Sequence, residues 1–198
     1  MAAVAAAVLG AIVLAAPLGA AVSPVSISAQ PSIVSATTTV RLFGRLSNGR
    51  PGQSIQIEMS ECGGYGWRVL THTETTSLGA WESAAGPTVT TKFRARWHDA
   101  TSNVATVRTR PDIFLDNHHH QRLLVVVRAN DSFERAALQR QSGKRWVRVR
   151  SFALGRGPFG SAADLHVGLA RGTRLRVVLT QAQVGRCYLP ASTTTVLS

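Results

Sequence analysis

Two cysteines, Cys62 and Cys187, are the only thiols in 198 residues and the sharpest chemical feature of the chain. An exported chain with two cysteines pairs them as a rule; two free thiols or a bridge to a second molecule are the open alternatives. His118, His119 and His120 offer imidazole nitrogens to a metal. Consecutive residues of an extended chain point to alternate sides, so only His118 and His120 could share an ion. Asp112 and Asp116 are close in sequence, but no acidic cluster completes a tetrahedral set. The stretch 117–121 therefore reads as a solvated loop, and no metal is expected. The ten acidic residues are scattered. Asp131 and Glu134 form the one pair at loop-like positions, and two residues across one turn rarely face each other over a substrate groove. No G-x-S-x-G, H-E-x-x-H or G-x-x-x-x-G-K-[ST] pattern occurs. No catalytic residue and no cofactor are expected, so the chain reads as a protein that is not an enzyme.

Charge offers a different chemistry. Lys and Arg number 22 against 10 Asp and Glu, a formal net charge of +12. Lys92, Arg94 and Arg96 alternate along one strand-like segment, Arg174 and Arg176 along another, and Lys144, Arg148 and Arg150 along a third. Positive side chains repeated on one face could meet an anionic cell-wall polymer or a membrane surface; the competing reading is a solvated sheet face kept soluble by its charge. Nucleic acid is not expected, because a basic face for single strands needs aromatic platforms beside it. Trp97 falls on the strand side opposite Arg94 and Arg96.

The elements that must carry these residues begin after an apolar leader. Residues 2–21 hold no charge and end in Pro17, Gly19 and Ala21, as a secretory signal peptide does. The leader lacks a basic start, and an uncleaved membrane anchor is the alternative; membrane contact is expected only through this segment if it is retained. Past it, period-two alternation dominates. In Gln53 to Glu61, Ile55, Ile57 and Met59 take one side and Gln56, Glu58 and Ser60 the other. In Thr88 to His98, Val89, Thr91, Phe93, Ala95 and Trp97 oppose Lys92, Arg94, Arg96 and His98. Gly44 interrupts a strand over 37–46 and predicts a bulge or a close backbone contact. The stretch 160–166 fits either a loop or half a helical turn.

The order of elements repeats. Trp67 answers Trp146, Gly79-Ala80-Trp81 answers Gly157-Pro158-Phe159, and Phe93-Arg-Ala-Arg answers Leu175-Arg-Val-Val. Such a divergent duplication means two copies of one all-β module, each an antiparallel β-sandwich by its strand count and turn spacing. The expected organisation is a signal peptide at 1–21, domain 1 at 22–110 and domain 2 at 111–198, joined at Arg110-Pro111. The expected core comprises Val40, Leu42, Ile55, Ile57, Phe93, Trp97, Val125, Val127, Leu175 and Val177. Strict alternation sets Trp146 beside Arg148 and Arg150; a bulge that turns it inward is the expectation, with burial under arginine stems as the alternative. A Cys62–Cys187 bond would clamp the two copies together.

VRLFGRLSNGRPGQSIQIEM, Gly79-Ala80-Trp81, KFRARW at 92–97 and the closing 104–111 together resemble the tandem immunoglobulin-like β-sandwich domains of bacterial secreted or cell-surface proteins. The resemblance implies adhesion modules, stalks or carbohydrate-facing domains and carries over no catalytic residues. The chain departs from the receptor pattern in having no cysteine pair inside either copy. The function expected is a non-enzymatic extracellular structural or adhesion-type module with a basic surface, its partner an anionic cell-wall polymer or another surface protein. A carbohydrate-binding or carbohydrate-processing exported protein is the alternative.

Overall fold

The computed structural model describes residues 23–118, 122–157 and 160–197. The leader, His119 and His120, and Pro158 with Phe159 lie outside the described residues, and with them the signal peptide, the histidine run and the Gly157-Pro158-Phe159 landmark. Before Pro111 the chain forms β1 (Ser28–Gln30), β2 (Ile33–Ser35), β3 (Val40–Arg45), β4 (Ser54–Glu61), β5 (Arg68–Glu74), β6 (Ala80–Ala85), β7 (Thr91–Trp97), β8 (Ala100–Thr101) and β9 (Ala105–Arg110). After it come β10 (Asp112–His118), β11 (Arg122–Arg128), β12 (Arg135–Ser142), β13 (Arg145–Ala153), β14 (Gly155–Gly157), β15 (Gly160–His166), β16 (Arg174–Leu179) and β17 (Ala191–Val196). Helix among the described residues is confined to a 3-10 turn at Ser77–Gly79 and one α-turn, α1 (Gln181–Val184).

The architecture is all-β and sandwich-like. One sheet runs β1-β3-β6 and its companion β2-β9-β7-β4-β5; in the C-terminal half the sheets run β10-β11-β15-β14 and β13-β12-β16-β17. Every pairing is antiparallel except β2 along β9. Alternation buries one face of each strand. Val40, Leu42 and Trp81 from the first sheet meet Ile55, Ile57, Phe93 and Val107 from its companion in one apolar cluster. Leu123, Val125, Val127 and Leu165 likewise meet Leu138, Leu175, Val177 and Leu179 in a second. Burial of this kind is the main term opposing chain entropy.

Nine of the ten expected core residues are buried, and Trp97 is not fully so: at the end of β7 it packs partly covered against the first cluster. Val89 is buried as its alternation requires, yet it joins the second cluster rather than the first, because it lies before β7 at the boundary between the halves. The loop-or-helix reading of 160–166 is corrected outright. GSAADLH is strand β15, paired residue for residue along β11 from Arg122–His166 to Arg128–Gly160. Its own residues are weak strand formers, and the Leu-Leu-Val-Val-Val run beside it decides the outcome, as strand preference is largely set by neighbours. Gly44 marks a close contact and not a bulge. A Cβ there would stand 1.9 Å from the Ser26 carbonyl oxygen and 2.5 Å from the Trp81 ring.

Sheet register carries the repetition further than the landmarks do. In the first half the β4–β5 pairing shifts between Ile57 and Glu58; in the second the β12–β13 pairing shifts between Leu138 and Gln139. Directly after each irregularity, Glu58 faces Arg94 across to β7 and Gln139 faces Arg176 across to β16. The runs β5-β4-β7-β9 and β13-β12-β16-β17 thus share strand order, bulge position and cross-strand partner.

Candidate binding surface and the bridge behind it

Cys62 follows β4 and Cys187 follows α1, and they are joined by a disulfide with Cα atoms 5.3 Å apart, at a sequence separation of 125. Hydrogen bonds accompany the link. The Thr90 N–H donates to the Cys187 carbonyl at 3.0 Å, and the Leu189 N–H donates to the Thr109 carbonyl at 2.8 Å. Next to the bridge, Tyr188 is buried edge-on against Phe133 and accepts the Asn130 N–H through its phenol oxygen. The connection between the halves is Pro111 alone, itself buried, between β9 and β10.

The expected basic residues do not form one uniform stripe. Lys92 is exposed on the outer face of β7. Arg94 and Arg96 are half-buried and converge on Glu58: Arg94 Nε lies 2.6 Å from one carboxylate oxygen and Arg96 Nη1 lies 3.6 Å from the other. Gln56 donates to the same carboxylate at 2.8 Å. Burial pushes the Glu58 pKa up, and the hydrogen bond and charge of Arg94, with Gln56 and Arg96, outweigh it, so the group sits below its ordinary value. The Arg94 guanidinium also lies over Trp67, 4.3 Å from the ring centroid, a contact that adds about 0.5–1 kcal/mol at a half-exposed site.

The second half repeats this geometry with different charge. Arg176 lies over Trp146 at 4.5 Å and donates through Nε to the Gln139 side-chain oxygen at 2.9 Å. Trp146 is therefore half-exposed on the outer face beneath Arg176, and no bulge turns it inward. The register shift falls at Leu138 and Gln139, beyond it, so strict alternation from the turn keeps Trp146 with Arg148. Arg174 is exposed two residues before Arg176 on the same strand. Two expected members belong elsewhere. Lys144 sits at the tip of the β12–β13 turn. Arg150, past the irregularity, reaches across to the facing sheet and donates to the His166 carbonyl at 2.9 Å.

Comparing equivalent rows isolates the difference. Across β5, β4 and β7 the row reads Val69, Glu58, Arg94; across β13, β12 and β16 it reads Arg148, Gln139, Arg176. A row with one charge of each sign has become a row with two positive charges. Glu58 and Gln139 are the residues that sequence reasoning missed. The signal was present: extending the Phe93/Leu175 match to the preceding strand aligns Ile57-Glu58 with Leu138-Gln139.

Asp131 and Glu134 line separate depressions and do not face one another over a groove. Among the described residues no three His, Cys, Asp or Glu side chains come together in a group that could hold a metal.

No protein-family model matches this chain, and no curated protein matches it. Among solved structures it is similar to a tetra-tandem repeat from the extending region of a large adhesion protein, at 13% identity and TM-score 0.37, covering 88% of this chain and 49% of that one. It is similar to the human OSCAR ligand-binding domain, at 14% identity and TM-score 0.29, covering 89% of this chain and 100% of that one. It is also similar to red sea bream transglutaminase, at 12% identity and TM-score 0.34, covering 89% of this chain and 32% of that one. Likeness at this level is shared by an adhesion repeat, a ligand-binding domain and a transglutaminase, so it carries no functional argument, and the fold rests on the strand pairing itself.

Proposed function

We propose that the protein is an exported, non-enzymatic module of two tandem immunoglobulin-like domains, 22–110 and 111–198 behind a signal peptide at 1–21. Its second domain contacts an anionic cell-wall polymer through the outer face of β13, β12 and β16. The observation that carries this reading is the charge of the equivalent rows: Glu58 answers Arg94 and Arg96 in the first copy, whereas Gln139 leaves Arg148 and Arg176 uncompensated in the second. Neighbouring strands lie about 4.8 Å apart, so the two guanidinium stems stand roughly 10 Å apart across Gln139. That spacing suits successive anionic groups of a polymer better than one small ion. Of the 22 basic residues, 13 lie from Pro111 onward, against 5 of the 10 acidic ones, so the wider field of the second half points the same way.

The test is retention of the 22–198 chain on phosphocellulose across a sodium chloride gradient. Arg148→Gln, Arg174→Gln and Arg176→Gln together are expected to lower the eluting salt well below that of a control lacking Arg45, Arg50 and Lys92, which has the same net charge. Equal elution of the two variants would mean that overall charge, and not this row, is responsible.

A further inference from the structure

The outer face of the first half carries a second polar arrangement, separate from the Arg148–Gln139–Arg176 row. Ser54, Gln56, His72, Arg96 and His98 line a depression of about 330 Å³. Register explains the grouping. Gln56 faces His72 on β5 to one side and Arg96 on β7 to the other. Ser54 lies two residues before Gln56 and His98 two residues after Arg96, which on antiparallel strands brings them to the next row of the same face.

One carboxylate beneath this depression is shared by two guanidiniums. Glu58 lies 2.6 Å from Arg94 and 3.6 Å from Arg96. The closer pair is Arg94's, so the Glu58, Arg94 and Arg96 group carries one positive charge more than negative, and the half-exposed Arg96 lines the hollow. His98 is held with φ at 49°, in the left-handed region, with its ring edge-on to Trp97 at 4.6 Å. That backbone is uncommon for a residue with a side chain and is worth attention where polar groups converge. The local sheet thus sets one fixed cation, two imidazoles, an amide and a hydroxyl around a single hollow.

We propose that this hollow binds a tetrahedral oxyanion, a sulfate or phosphate ester, with Arg96 as the fixed cation and the ring N–H groups of His72 and His98 as further donors. A guanidinium fork and imidazole N–H groups match the several oxygens of such a group. Three carboxylates border the hollow: Glu74 follows His72 by two residues on the same face of β5, Asp99 follows His98 directly, and Glu58 lies beneath Arg96.

The experiment is an amide and side-chain NMR titration of the 22–198 chain with sodium sulfate, matched in ionic strength by sodium chloride. Saturable shifts are expected at His72, Arg96 and His98. Arg96→Gln is expected to abolish the response while circular dichroism stays unchanged, and His98→Asn, which tolerates the left-handed backbone, to weaken the affinity by about tenfold through the loss of one donor. Phenyl sulfate and phenyl phosphate, titrated in parallel, identify the ester by which binds more tightly. Unsaturable shifts equal to those in chloride, full binding by the Arg96→Gln variant, or shifts confined to Arg148, Arg174 and Arg176 would each overturn the proposal. Arg96→Gln leaves the Arg148–Gln139–Arg176 row intact, so failure of this proposal and failure of the polymer reading are told apart on different variants.

Discussion

Replacing both Cys62 and Cys187 with alanine removes the disulfide cross-link between the halves and leaves the Thr90–Cys187 and Leu189–Thr109 backbone hydrogen bonds in place, since neither needs a side chain. The magnitude follows from the loop the bond closes. With the cysteines at a sequence separation of 125, the chain-entropy relation gives about 5 kcal/mol if the molecule unfolds in one step. If the halves unfold separately, the loop is shorter but the logarithm makes the change small. Unfolding the first half alone releases a tethered segment of roughly 50 residues, from Cys62 to Arg110, and the second a segment of roughly 75, from Pro111 to Cys187, for about 4 and about 4.5 kcal/mol respectively. Either regime therefore predicts a loss near 4–5 kcal/mol, a large share of the 5–15 kcal/mol typical of a folded domain. Urea unfolding of the oxidised chain and of Cys62→Ala/Cys187→Ala, followed by tryptophan fluorescence and far-UV circular dichroism, measures it. A loss below about 1 kcal/mol with an unchanged m-value would refute the entropic reasoning and assign the stability of the junction to its noncovalent contacts.

Glu58→Gln places in the first half what the second half already has at Gln139, so its cost at pH 7 is expected to stay under about 1 kcal/mol. The folded-state pKa of Glu58 lies below its ordinary value; its contribution is therefore present above the unfolded pKa of about 4.3 and lost as pH falls through the folded value, so the variant should show a shallower acid loss of urea midpoint than the parent chain. Gly44→Ala forces a methyl group to within 1.9 Å of the Ser26 carbonyl oxygen and 2.5 Å of Trp81. A loss of roughly 3 kcal/mol or more is expected from this overpacking, read as a fall in thermal midpoint, and a neutral result would mean that β1 and β6 separate more easily than their packing indicates.

Much of the molecule was legible from residue order because two signals are local. A period of two says which residues of a strand go inward, and it holds for Val40, Leu42, Ile55, Ile57, Phe93, Val125, Val127, Leu175 and Val177, all buried. The cysteine count in a chain read as exported anticipated the Cys62–Cys187 bond, now present across the junction. Even the position of Trp146 was contained in strict alternation, which the structure obeys and the expected bulge would have broken.

What alternation cannot supply is the identity of the neighbour across the sheet. GSAADLH became β15 only because β11 lies beside it. Val89 turned to the second cluster because the two halves meet at that point. Lys144 and Arg150 left the basic face because a turn and a bulge change where a side chain at a given spacing points. The net charge of +12 was plain in composition, but its distribution was not. Whether an arginine is compensated depends on a residue some forty positions away, Glu58 for Arg94 and Gln139 for Arg176, and only the pairing of β4 with β7 and of β12 with β16 brings each to its partner.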